Sequence, residues 1–391
     1  KKHYVEEIID FNKQLRGTYK KDNYWAISLA YLYYYIGDHT SSEKTLNHLK
    51  VLNKYESKQV DIIKNANYVK SRVSFTNKEE NYLGGLLFSL RGEDTYGTNT
   101  SLSLLTLNEI TYKTKNSFLI YLKENSYDFG LRHCYGGPSI MLLKDEKIDV
   151  SAIDTILNSY RLIDNSLLKD YLSLVFCGSE ENLVESILLE KKATLYMRNP
   201  EHLKEAINIF EKLPKAFLKN YTLRFNVNYN PFNMHIKDCM FCEQNKTAVS
   251  YDKLRLARKL FEILNIAKKD NSAMDYYLLG CAYYNMSYFG PSWNALSYYR
   301  SGRSGSGGFT NNEIALNFFN KAINAEKSND ELIAKTLFMA AKCKQNIYYM
   351  NKQKDIEYRD RYKTLSENYS HTNFYKEAIK ECKYFKFYAL K

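Results

Sequence analysis

Apolar side chains recur every three or four positions along most of this chain, and that spacing commits it to helices that each bury one face. The plainest run is Tyr24–Ile36 (YWAISLAYLYYYI), followed by Gly37-Asp38 and then by Ser41–Leu52 with Leu46, Leu49 and Leu52. Gly37 suits the left-handed turn that closes a helix, and Thr40, Ser41 and Ser42 offer oxygens to cap the next one. The two segments predict an antiparallel helical hairpin with a short turn. A second hairpin runs over Leu183–Arg198, breaks at Asn199-Pro200 and resumes as Glu201–Leu213, because proline fits a first helical turn but cannot continue a helix. A third joins Ser272–Tyr288 to Asn311–Lys327. The same periodicity predicts single helices over Tyr4–Leu15, Lys58–Val73, Glu79–Leu90, Ser117–Asn125, Ala152–Leu162, Tyr251–Lys268, Asp330–Met350, Gln353–Asn368 and Asn373–Tyr388.

Composition narrows the class. Five prolines and 16 glycines among 391 residues are too few for a turn-rich β-sandwich or a linker-dominated chain. No apolar run approaches the ~20 residues a membrane-spanning helix needs, so no transmembrane segment is expected. The chain opens Lys1-Lys2-His3-Tyr4, without a signal-peptide pattern, and peripheral membrane attachment through an N-terminal anchor ahead of Lys1 stays open. The formal net charge is +12, which raises nucleic-acid or polyanion binding as an alternative function. The basic residues are interleaved with acids along the whole length, however, as at Glu43-Lys44, Lys204-Glu205 and Lys380-Glu381. That pattern, with 36 tyrosines, fits the residue bias of an AT-rich genome better than a binding patch.

The hairpins share a pattern. Tyr276, Leu279, Gly280 and Tyr283 stand at offsets 0, +3, +4 and +7 on the first helix of the third pair, and Ala315, Phe319 and Ala322 at 0, +4 and +7 on the second. Small residues let two helices cross closely while the aromatic fills the neighbouring gap. Ala26, Leu29, Ala30 and Tyr33 with Ser42, Leu46 and Leu49 form a looser copy; Leu189, Ala193 and Tyr196 with Ala206, Phe210 and Leu213 form another, in which Lys192 replaces an expected leucine. The pattern resembles the tetratricopeptide repeat over about half the chain. That resemblance implies an all-α solenoid of antiparallel hairpins, interrupted here by long loop insertions. The expected organisation is N-terminal hairpins over 1–125, a middle helical region over 126–225, a loop over 226–250, and a C-terminal array over 251–391 with the 289–310 insertion. The segment Glu367–Ala378 (ENYSHTNFYKEA) has Thr372 as a helix cap and Phe374 and Ala378 on the buried face. It is similar to repeats of bacterial outer-membrane-assembly lipoproteins, which implies a scaffold or adaptor in a cell-envelope or secretion-associated assembly.

No phosphate-binding Gly-x-x-x-x-Gly-Lys-Ser/Thr loop, Gly-x-Ser-x-Gly elbow or His-Glu-x-x-His zinc helix occurs. The expected role is therefore non-enzymatic, with other proteins as partners, no small-molecule substrate and no cofactor. Two loops carry what chemistry there is. His235-Ile-Lys-Asp-Cys239-Met-Phe-Cys242 places three zinc-type ligands at a workable spacing, but a structural site needs four. A Cys239–Cys242 disulfide and two free thiols stay open beside a structural zinc. The 289–310 insertion gathers Phe289, Trp293, Tyr298, Tyr299 and Arg300, residue types that dominate binding hot spots. Either these face a partner from the edge of the array, or Trp293–Tyr299 folds down on the array as a short helix.

Overall fold

A computed structural model describes residues 2–18, 23–49, 52–89, 98–125, 142–164, 167–177, 183–215, 217, 226–227, 229–238, 251–300, 308–351 and 359–390. The fold is all-α. Its described strands are two-residue segments, Asn226–Val227 (β1) and Tyr251–Asp252 (β2), paired antiparallel with Asn226 opposite Asp252 and Val227 opposite Tyr251. Among the described residues no helix is long and apolar enough to cross a membrane. The chain divides into two compact units: 1–138 with 155–182, and 139–154 with 183–391.

The first unit contains α1 (Lys2–Thr18), α2 (Asn23–Ile36), α3 (His39–Asn47), α4 (Lys54–Ser71), α5 (Asn77–Ser89), α6 (Thr98–Thr114), α7 (Ser117–Asn125), the later part of α8 (Val150–Arg161), and α9 (Leu167–Cys177). Gly37 ends α2 at φ +85°, where an L side chain would be strained. The Gly37 N–H donates to Tyr34 O at 3.0 Å and the Asp38 N–H to Tyr33 O at 2.9 Å, closing the helix end. The cap of α3 is Asp38, whose Oδ1 accepts from the Ser41 N–H at 3.0 Å, ahead of the expected Thr40, Ser41 or Ser42. Ser42 serves packing instead. Its buried hydroxyl donates to Ala30 O at 2.7 Å and accepts from Asn67 Nδ2 at 2.7 Å, fastening α3 to α2 and α4. Ile27, Ala30, Leu46, Val60 and Ile63 form the core between these three helices.

Two helices of this unit, α6 and α9, fall outside the helices expected from the periodicity. In α6 (TNTSLSLLTLNEITYKT) the period is blurred by threonine and serine, residues that compete with helical hydrogen bonding. Thr111 and Thr114 settle that competition by donating back to Leu107 O at 2.6 Å and Ile110 O at 2.8 Å. In α9 (LLKDYLSLVFC) Leu168, Tyr171, Leu172 and Phe176, at offsets 0, +3, +4 and +8, form one buried face.

The second unit continues through α10 (Val184–Met197), a 3₁₀ turn (Pro200–His202), α11 (Leu203–Phe210), α12 (Lys253–Asp270), α13 (Ala273–Asn285), a 3₁₀ turn (Trp293–Ala295), α14 (Glu313–Ala325), α15 (Asp330–Asn351), α16 (Asp360–Asn368), α17 (Asn373–Glu381) and α18 (Lys383–Ala389). From α10 to α16 each helix packs against the next in sequence. Pro200 occupies the first position of its turn, and Asn199 caps it by accepting from the Glu201 N–H at 3.0 Å. At the α13–α14 crossing, a Cβ on Gly280 would lie 2.5 Å from Phe319 Cε1, so the ring rests on bare backbone. Tyr276, Leu279, Tyr283, Ala315, Phe319 and Ala322 are buried around it.

Asn373–Tyr388, expected as one helix, is two. Cys382 takes an extended conformation (φ −104°, ψ 102°) and turns the chain between α17 and α18. The turn lets Phe385 join Phe374 and Tyr362 around Phe338, with ring centroids 5.5–5.8 Å from it. Thr372 caps α17 through its Oγ1, which accepts from the Tyr375 N–H at 3.2 Å, and Phe374 and Ala378 are buried.

Candidate functional site

The segment 289–300 leaves α13 and lies along the second unit. Arg300 organises it: the guanidinium donates to Tyr288 O and Gly290 O, both at 3.0 Å, and stands 5.2 Å from the Trp293 ring centre. Burial of that guanidinium lowers its pKa from the ordinary arginine value. Arg198, which follows the last residue of α10, ties the segment down further, donating from Nε to Leu296 O at 3.1 Å and from a terminal nitrogen to the same oxygen at 2.6 Å. Of the five expected partner-binding residues, Phe289, Trp293, Tyr298 and Arg300 are half-buried and Tyr299 is exposed, with Lys144 4.9 Å from its ring centre.

Tyr298 ends in a cluster of buried charge. Its hydroxyl donates to Glu190 Oε2 and lies 3.0 Å from Thr194 Oγ1. Lys253, the first residue of α12, donates to Glu190 Oε1 at 2.7 Å and to Thr194 Oγ1 at 2.9 Å, and its ammonium is 4.3 Å from the Tyr298 ring centre. Lys191 is buried beside them and donates to Leu143 O at 2.9 Å and Asp145 O at 3.0 Å. Desolvation brings Lys191 down to about 8, with the nearby Arg198 adding to the effect, and lowers Lys253 as well. Desolvation and the Glu190 carboxylate push the Tyr298 phenol well up. Lys253, Glu190 and Tyr298 satisfy one another, so the cluster is a clamp that fixes the 289–300 segment to α10 and α12.

Sequence reasoning passed over this cluster, although part of it leaves a trace. Lys253 precedes Leu256, Ala257 and Leu260 by three, four and seven residues, which puts a charge on the apolar face of α12. Glu190, Lys191 and Lys192 interrupt the apolar text of α10; of these, Lys192 reaches outward to Asp154 at 2.6 Å.

Cys239 and Cys242 lie outside the described residues, and His235 is half-buried. Among the described residues no group of three or more histidine, cysteine or acidic side chains is placed to hold a metal. The backbone around His235 is held by α15: Lys342 donates to His235 O at 2.9 Å, Ile236 O at 3.3 Å and Asp238 Oδ1 at 2.7 Å. The Tyr284 hydroxyl donates to Asp238 Oδ2 at 2.6 Å, and Asn285 donates to Pro231 O at 2.7 Å and Asn233 O at 2.6 Å. Burial, reinforced by Lys342, lowers the His235 pKa and favours its neutral form.

The first unit carries outward-facing rings along two of its helices. On α2, Tyr24, Tyr31 and Tyr35 fall at offsets 0, +7 and +11, one helical face, and are 60%, 52% and 59% exposed. On α1, which packs against α2, Tyr4, Ile8 and Phe11 recur at 0, +4 and +7 and are also exposed. No protein-family model, curated protein or solved structure matches the chain.

Proposed function

We propose that this chain is a non-enzymatic scaffold of tetratricopeptide-like helical hairpins that holds another protein within a larger assembly, of the kind found in a bacterial cell envelope. The observation that carries this reading is the pair of exposed aromatic stripes on α1 and α2. Large side chains repeated along one helical face stay exposed unless something covers them, and exposed apolar surface of this kind marks protein contacts. The stacking of successive helices from α10 to α16 and the Gly280–Phe319 crossing support the repeat assignment. On the second unit Tyr299, with the half-exposed Phe289 and Trp293, offers a further contact patch.

The test replaces Tyr31 and Tyr35 with serine and compares affinity capture from the native cell fraction. The reading expects a stoichiometric partner that the original chain retains and the double variant loses, with the melting curve unchanged. Equal capture by both proteins would overturn it. Capture of nucleic acid that disappears between low and moderate salt would replace it with polyanion binding.

A further inference from the structure

Residues 229–238 cross the second unit as a strap that is held largely by its main chain. Asn285, which ends α13, donates from Nδ2 to Pro231 O at 2.7 Å and to Asn233 O at 2.6 Å, and Ser292 Oγ donates to Tyr229 O at 3.3 Å. Lys342 on α15 donates to His235 O and Ile236 O, and its ammonium meets Asp238 Oδ1 at 2.7 Å. We propose that this strap is a displaceable stand-in for a ligand. The channel beneath it on α13 and α15 is then a peptide-binding site, and its partner is a short segment of another protein carrying an aromatic side chain followed by a carboxylate. This deepens the scaffold reading, on which it rests for a protein as the partner.

The grip on the strap is of a kind that suits a ligand. The carbonyls of residues 229, 231, 233 and 235 all accept from side chains of the unit, and a carbonyl is the same in every residue. Such bonds supply affinity for main chain, while a few side-chain seats supply specificity. Phe232 has one seat, 9% exposed with its ring centre 6.2 Å from that of Tyr251. Asp238 has the other, between Lys342 and the Tyr284 hydroxyl, which donates to Oδ2 at 2.6 Å. Lys237 adds only a solvated pair with Glu381.

The strap itself lies shallow. Pro231 and Phe232 are buried, but Met234, His235 and Ile236 are half-buried, and Asn233, Lys237 and Asp238 are exposed. The groups that hold it are shut in: Tyr284 and Asn285 are 0% exposed and Lys342 is 6% exposed. Polar groups at that depth need partners, and the strap serves them incompletely. Asn285 Oδ1, on the amide that holds the strap, is buried with no hydrogen-bond partner among the described residues. Lys342 forms its ion pair with Asp238, and a buried ammonium stripped of its acid is strongly destabilising. A segment that displaces the strap must therefore bring a carboxylate to Lys342. That requirement, with the Phe232 seat, sets the chemistry of the partner.

The test titrates a fluorescent, C-terminally amidated peptide with the sequence of residues 229–238 into the full chain and into two variants. Asp238→Asn and Phe232→Ser each loosen the strap at one seat. In the original chain the tethered strap competes at an effective concentration on the order of mM, so the peptide binds weakly. Each variant should bind the peptide roughly tenfold or more tightly than the original chain does. The same peptide with asparagine at its last position should bind the variants roughly tenfold more weakly, because it brings Lys342 no carboxylate. No binding, equal binding to all three chains, or equal binding of both peptides to the variants would overturn the proposal. Loss of the cooperative melt in both variants would overturn it too, by assigning the segment to the core. The scaffold reading is tested on Tyr31 and Tyr35 of the first unit, so failure of one proposal is distinguishable from failure of the other.

Discussion

The ion pair between Lys253 and Glu190 is shut away from water, with side-chain exposures of 2% and 1%, and its energetics differ from those of solvated pairs such as Lys363–Glu367. Removing one partner from a buried pair strands the other charge, which typically costs about 3–5 kcal/mol. Lys253→Met should lower the denaturant-derived stability of the second unit by that order, and a loss below about 1 kcal/mol would contradict the clamp assignment. The buried titratable groups also set a pH profile. Lys191, brought down to about 8, and Lys253, lowered too, release their protons in the folded protein before the unfolded chain does. Their contribution to stability is thus present above the ordinary lysine value of ~10.4 and lost as pH falls through the folded value. Tyr283, Tyr284, Tyr298 and Tyr362 run the other way, because burial raises their phenols. Their contribution is complete below the ordinary tyrosine value of ~10 and is lost as pH rises beyond it. Melting temperature against pH should peak between about 8 and 10, with phenolate absorbance from these rings appearing only as helical circular dichroism collapses. Full phenolate absorbance at ordinary tyrosine pH with the helices intact would contradict this. Little of this chemistry is legible in the sequence. Tyr298 reads as an interface ring because an aromatic-rich loop looks the same whether its rings meet a partner or the protein's own α10, and the Glu190 that takes its hydroxyl lies far away along the chain.

Elements are far more legible than side-chain partners. Gly37, Pro200 and Thr372 punctuate helices locally, through backbone conformation and capping, and they mark those boundaries in the sequence as they do in the fold. The misses have physical causes. The hydroxyl-rich α6 hides its period, the stripe of Leu168, Tyr171, Leu172 and Phe176 in α9 is regular but short, and the break at Cys382 is imposed by packing of Phe385 rather than by a proline or glycine. The α13–α14 hairpin is the element where sequence pattern and packing agree most closely. Gly280→Leu would drive a side chain into the fully buried Phe319 ring and should cost roughly 1–3 kcal/mol. An unaltered melting curve would show that the crossing has room, and would count against repeat-like packing there.

At the scale of the whole molecule, the all-α class follows from the helical period; in the second unit the helices from α10 to α16 pack against the next in sequence, whereas in the first α9 returns to pack on α5. Function depends on what covers the exposed rings, and neither periodicity nor charge balance identifies that partner. Tyr31 and Tyr35 belong to an apolar helix by composition; only the packing of α3 and α4 against its opposite face leaves these two outward. The most direct measurement is therefore site-specific photocrosslinking in native cells, with a photoreactive phenylalanine at Tyr31 or Tyr35 and the exposed Tyr55 on α4 as the control position. The scaffold account expects both α2 positions to crosslink to one and the same polypeptide, well above the Tyr55 control. Crosslinks to nucleic acid, or yields no higher than the control, would contradict it.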